Sequence, residues 1–109
     1  MLRGGRVSFF AIQDTSEGGR RTLVLTGEFD IAEAEQVATA LLRVGSGATV
    51  VTLDLSGVTF MGVAGLRIVL FTRELCQQRG YEFRIVPGSA HVQRILEIAG
   101  LGEDRRQSA

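Results

Sequence analysis

Few side chains in this 109-residue chain have the types or spacing for chemistry. There is one histidine, His91, and one cysteine, Cys76. A Cys–His pair is formally a nucleophile and its base. Cys76, however, lies one turn past Thr72 on an amphipathic helical pattern, where a cysteine behaves as a small core residue. His91 falls in the first turn of a different helical segment. A charged imidazole there opposes the helix dipole, and the residue reads as a solvated surface side chain. Glu28 and Asp30 are two close carboxylates, but they occupy a strand-to-helix corner where capping is the ordinary role of Asp30. One histidine, one cysteine and scattered carboxylates do not make a closed metal site. No metal or other cofactor is expected. Gly62-Val63-Ala64-Gly65 lacks the further glycines of a dinucleotide fingerprint and the Lys-Ser/Thr pair of a P-loop. This inventory argues for a binding protein rather than an enzyme. It leaves the turn Phe60-Met61-Gly62-Val63-Ala64-Gly65, which has no reactive side chain, as the most informative segment.

Composition narrows the classes further. Lys plus Arg and Asp plus Glu both number 12, so charge makes no case for nucleic acid or an anionic membrane as partner. The length is that of one domain, and 45% hydrophobic residues suffice for one apolar core. A lone cysteine permits no intrachain disulfide and fits a reducing compartment. Met1 to Arg6 has no apolar run behind its arginines and does not read as a secretory signal. No stretch approaches the roughly 18 apolar residues of a membrane span, so direct membrane insertion is not expected. A cytoplasmic location is the expectation.

The elements that must position the turn are marked by punctuation. Val7 to Ile12 predicts a strand, Asp14 to Gly19 a hairpin loop, and Arg21 to Glu28 the return strand, with Leu23 and Leu25 on one face. Asp30 is a natural N-cap for a helix over Ile31–Val44, with Glu33 completing a capping box. Ile31, Ala34, Val37, Ala38, Leu41 and Leu42 recur at helical spacing. Thr49 to Leu55 is the most apolar strand and suits a central position covered on both faces. A loop is expected over 56–62, then a second helix from about Val63 to Arg79. Tyr81 to Val86 alternates as a half-exposed strand, and Ser89 caps a third helix through about Ala99. The order β-β-α-β-α-β-α implies an α/β fold. Its mixed sheet has an antiparallel edge hairpin, parallel strands and helices packed on it. The domain is expected over 7–102, with flexible tails over 1–6 and 103–109.

Four segments in this order carry a family resemblance. They are Leu25-Thr26-Gly27-Glu28-Phe29-Asp30, Leu53 through Met61, Gly65-Leu66, and Val92 through Leu101. Together they resemble the STAS domains of bacterial anti-sigma factor antagonists, over about residues 7 to 102. The resemblance implies a partner: an anti-sigma factor, usually with a histidine-kinase-type ATPase fold, whose capture releases a sigma factor. In that family the anti-sigma factor often phosphorylates a serine at the start of the second helix and so breaks the complex. The family's Asp-Ser-Ser-Gly motif is here Gly62-Val63-Ala64-Gly65. The acceptor serine corresponds to Val63, a degenerate phosphorylation site without a hydroxyl. The remaining loop hydroxyls, Ser56 and Thr59, are expected to make local turn hydrogen bonds.

The partner-binding surface implied by the resemblance comprises Asp30, Thr59, Met61, Gly62, Val63, Ala64, Leu66 and Arg67. Between Val63 and Phe71 only Gly65 and Arg67 are not apolar. Such a helix is either buried all round or leaves Val63 and Leu66 exposed for a partner. Family chains often continue after the third helix with another strand and helix, whereas this sequence continues only to Ala109. The surface left uncovered there favours a homodimer. Two other readings stay open: a scaffold or accessory subunit of a stress-signalling or membrane-transport complex, and a small anion or nucleotide sensor using the amides before Val63.

Overall fold

Seven elements follow one another: β1 (Phe10–Glu17), β2 (Arg20–Phe29), α1 (Ile31–Leu42), β3 (Val50–Met61), α2 (Val63–Arg79), β4 (Glu82–Val86) and α3 (Ala90–Ile98). The computed structural model of the chain describes residues 9–43 and 47–101. Val7, Val44 and the two expected tails lie outside the described residues. The order is the β-β-α-β-α-β-α expected from sequence. The sheet runs β1-β2-β3-β4, antiparallel between β1 and β2 and parallel elsewhere.

The hairpin is tighter than the sequence suggested. Asp14 to Glu17, expected in a loop, extend β1, and the turn is Gly18-Gly19 alone, with φ of 57° and 84°. Two consecutive positive φ values are what a two-residue hairpin matching strand twist demands, and glycine supplies them without strain. Asp14 is stable in the strand because the Arg21 guanidinium grips it with two hydrogen bonds, at 2.5 and 2.8 Å. That grip holds the Asp14 carboxyl below the ordinary carboxylate range.

β3 also outruns its expected end at Leu55. The segment expected as a loop stays paired to the long β2 as far as Phe29↔Met61, with two register shifts absorbing its extra residues. Ser56 is tied down by Asp54 Oδ1, which accepts from both its N–H (2.9 Å) and its hydroxyl (2.6 Å). Gly57 allows close contact, since a Cβ there would lie 3.0 Å from Thr26 Oγ1.

One face of the sheet holds the core. Leu23, Leu53 and Ile85 are register neighbours across three strands and all are buried. Each buried leucine contributes roughly 1.5–3 kcal/mol by leaving water. The row beside them, Thr22, Thr52 and Arg84, is only half-buried. The expectation that β3 is covered on both faces is therefore corrected. Thr52 and Asp54 alternate with Val51, Leu53 and Leu55, so the strand has a polar side that tolerates water.

The helices supply the other half of the core. Val37 and Leu41 of α1 are buried, whereas Ile31 and Leu42, counted from sequence with the apolar stripe, are exposed. The Asp30 N–H donates to the Glu33 carboxylate at 3.0 Å, the reaching-back arm of the predicted capping box. In α2 the buried stripe is Gly65, Val69, Thr72 and Cys76. Burial pushes the Cys76 thiol up to about 11, while the nearby Arg79 charge acts weakly the other way. Such a thiol is a core group, not an activated nucleophile. α2 ends at Gly80 in the left-handed conformation, and Ser89 Oγ accepts from the Val92 N–H to start α3.

Candidate functional site

The turn singled out from sequence sits where two strands end together. Phe29 closes β2 and Met61 closes β3, and the two are paired and buried. α1 and α2 therefore start side by side from one end of the sheet. The Gly62 N–H donates to the Phe29 carbonyl at 3.1 Å, tying the two corners together.

Both glycines of the turn serve space rather than backbone freedom. Gly62 is the N-cap of α2 with φ −90° and ψ −173°, which any residue adopts. A Cβ added there would fall on the Asp30 carboxylate. The acidic cap of α1 thus fills the place where residue 62 would carry its side chain. Gly65 is buried one turn on, and its Cβ would lie 2.5 Å from the Phe29 carbonyl oxygen and 3.0 Å from Met61 Cγ. The absent side chain lets the first turn of α2 press onto the end of β2.

The side chains above this scaffold are apolar and open to water. Val63 is 68% exposed, Phe60 45% and Ile31 79%. Thr59 and Arg67 are exposed, and Asp30, Gly62, Ala64 and Leu66 are half-buried. Leu66 packs against the core, so the alternatives for α2 divide: Val63 stays out and Leu66 is largely tucked in. The eight residues expected at the partner surface are gathered at this corner, except that Met61 is 2% exposed and supports it from beneath. Ser56 makes the expected local hydrogen bonds, whereas the Thr59 hydroxyl makes none among the described residues.

The structure adds His91. Its ring stacks on Phe60, with centroids 5.6 Å apart and planes 17° apart. Its Nε2 accepts the Met61 N–H across a long 3.5 Å. The residue is exposed, as expected, but it is not a free surface side chain. The cause lies in the strand lengths. β4 pairs only with Val50–Asp54, so the second half of β3 has an open edge, and the chain after β4 comes alongside it. Gly88 packs on Ser56, with room for no Cβ (2.6 Å from Ser56 Cα), and α3 follows with His91 in its first turn. Ending β3 at Leu55 in the sequence hid this contact, because it left no strand edge for the histidine to meet.

Among the described residues no three His, Cys, Asp or Glu side chains are grouped to hold a metal ion, and no helix is long and apolar enough to cross a membrane. Chemically, the corner offers an exposed apolar cluster on two helix N-termini, bordered by the Asp30 carboxylate and the His91 ring.

Residues 12–104 match the model of the family described as Mlab, STAS domain. The chain belongs to the STAS family. Solved structures share its fold. An anti-sigma factor antagonist from Mycobacterium paratuberculosis is 24% identical, with TM-score 0.77 over 87% of this chain and 81% of that one. The phosphorylated form of the Bacillus cell fate determinant SpoIIAA is 20% identical, with TM-score 0.69 over 85% of this chain and 86% of that one. A sulfate transporter family protein from Wolinella succinogenes is 19% identical, with TM-score 0.71 over 84% of this chain and 75% of that one. No curated protein matches this STAS domain by sequence.

Proposed function

We propose that this STAS domain is a non-enzymatic regulator that captures an anti-sigma factor at the α1–α2 corner, releases a sigma factor in the cytoplasm, and does so without a serine switch. The observation that carries the reading is Val63. It is the first residue of α2, 68% exposed, and neither it nor its neighbours Gly62 and Ala64 has a hydroxyl. A phosphate at this place adds about −1.5 to −2 charges. The helix N-terminus accommodates that charge, so the cost of phosphorylation falls on a partner's desolvated surface. A valine methyl pair is instead suited to burial in a permanent contact. The structural likeness to the Mycobacterium antagonist supports the choice of partner.

The test is a complex of this chain with the anti-sigma factor of its own cells, a protein expected to have a histidine-kinase-type ATPase fold, challenged with magnesium ATP. The complex is expected to persist, with the intact mass of this chain unchanged. Phosphate on this chain together with dissociation overturns the reading. A second reading, an accessory domain of a transport complex, draws on the likeness to the Wolinella sulfate transporter family protein. Stable binding to a permease or its ATPase, and none to an anti-sigma factor, selects it.

A further inference from the structure

Among the described residues nothing covers the far edge of the sheet. β1 is an edge strand of eight residues, and its register with β2 is continuous from Phe10↔Gly27 to Glu17↔Arg20. The Phe9 carbonyl accepts the Glu28 N–H at 3.0 Å, which sets the phase of the ladder. Ala11, Gln13 and Thr15 turn their backbone groups inward to β2, while Phe10, Ile12, Asp14 and Ser16 turn theirs outward. Natural edges are blunted by proline, bulges, lysine or an inward-pointing charge. β1 has no proline or bulge, the whole chain has no lysine, and the Asp14 charge is already paired with Arg21. The opposite edge, β4, is only five residues long and stops at Pro87.

An open cleft of about 560 Å³ runs beside this edge, between β1 and α1. α1 touches both β1 and β2 and runs parallel to β1. Along the cleft it presents Glu35, Thr39 and Arg43, spaced i, i+4, i+8 on one stripe. All three are exposed.

We propose that a second copy of this chain pairs its β1 antiparallel with β1, about a two-fold axis at Gln13, and joins the two four-stranded sheets into one. This register matches every outward residue with an outward residue. Ile12 faces the second copy's Asp14, and Phe10 faces the second copy's Ser16, so all the open backbone groups pair. Helices over the two β1–β2 seams then stand two strand spacings apart, about 10 Å, an ordinary helix packing distance. Each fills the other's cleft. The same axis, passing near Thr39, sets Glu35 against the second copy's Arg43 and Arg43 against the second copy's Glu35. An isologous contact has to be self-complementary in this way. The exposed ion pairs set register, and the strand ladder and cleft filling supply the strength. The α1–α2 corner stays free, so this dimer stands or falls independently of partner binding there.

Sedimentation equilibrium of the full chain tests it, with a mass twice 11.8 kDa expected. Glu35→Arg alone, or Arg43→Glu alone, weakens dimerisation about tenfold by facing like charges, and the double exchange restores it. Gln13→Cys, at the axis, forms a covalent dimer on mild oxidation, while Ala11→Cys, facing the second copy's Thr15, does not. Buried Cys76 stays silent in both. An 11.8 kDa species at millimolar concentration, or a double exchange that remains monomeric, overturns the proposal.

Discussion

Replacing Val63 with glutamate is expected to weaken anti-sigma factor binding at least about a hundredfold, roughly 2.8 kcal/mol, while leaving the fold unchanged. The side chain is 68% exposed, so the free protein loses almost no packing. Gly62 before it and Gly65 after it still seat the helix, and a carboxylate near a helix N-terminus is locally favourable. The loss arises only when a partner removes water from the new charge. Titration calorimetry with the anti-sigma factor measures the first effect, and thermal melting checks the second. Leu42→Glu, at the far end of α1 and 60% exposed, is the control that leaves binding intact. Equal affinities for wild type and Val63→Glu place the binding face elsewhere.

The second large effect is on stability. Gly65→Val is expected to destabilise the domain by about 3 kcal/mol in urea unfolding, the upper end for overpacking a core. The new Cβ meets the Phe29 carbonyl at 2.5 Å, and a backbone atom held in the β2–β3 ladder has nowhere to turn. Valine's helix propensity returns only a few tenths of a kcal/mol of this. Gly62→Ala is the informative comparison. The atoms nearest its Cβ are those of the Asp30 carboxylate, the end of a side chain that rotates away, and the cost stays below about 1 kcal/mol. If the two variants melt alike, Gly65 is not the point of close approach claimed for it.

The sequence located the helices better than the strands, for physical reasons. α2 was bounded by Gly62 and Gly80, which cap it in the structure, and Asp30 with Glu33 marked the start of α1. Caps are local chemistry and stay legible without tertiary context. Strand ends are decided by a partner. Asp14 to Glu17 have turn composition yet continue β1, because an edge strand tolerates polar residues and Arg21 neutralises Asp14. Ser56 and Gly57 have loop composition yet stay in β3, because β2 extends alongside them with two register shifts. That single misplacement concealed the stacking of His91 on Phe60. The exposure of Val63 and the tucking of Leu66 were likewise undecidable from an apolar run, since periodicity does not say which residues find a neighbour.

The most direct test of the corner as docking site is to follow backbone amide resonances of the isotopically labelled chain as unlabelled anti-sigma factor is added. Perturbation is predicted at Asp30 and Ile31, at Thr59 to Arg67, and at His91, with β1 and the Thr22–Thr52 face of the sheet unmoved. Shifts concentrated on β1 or on that open face, with Phe60 and Val63 unchanged, contradict the account.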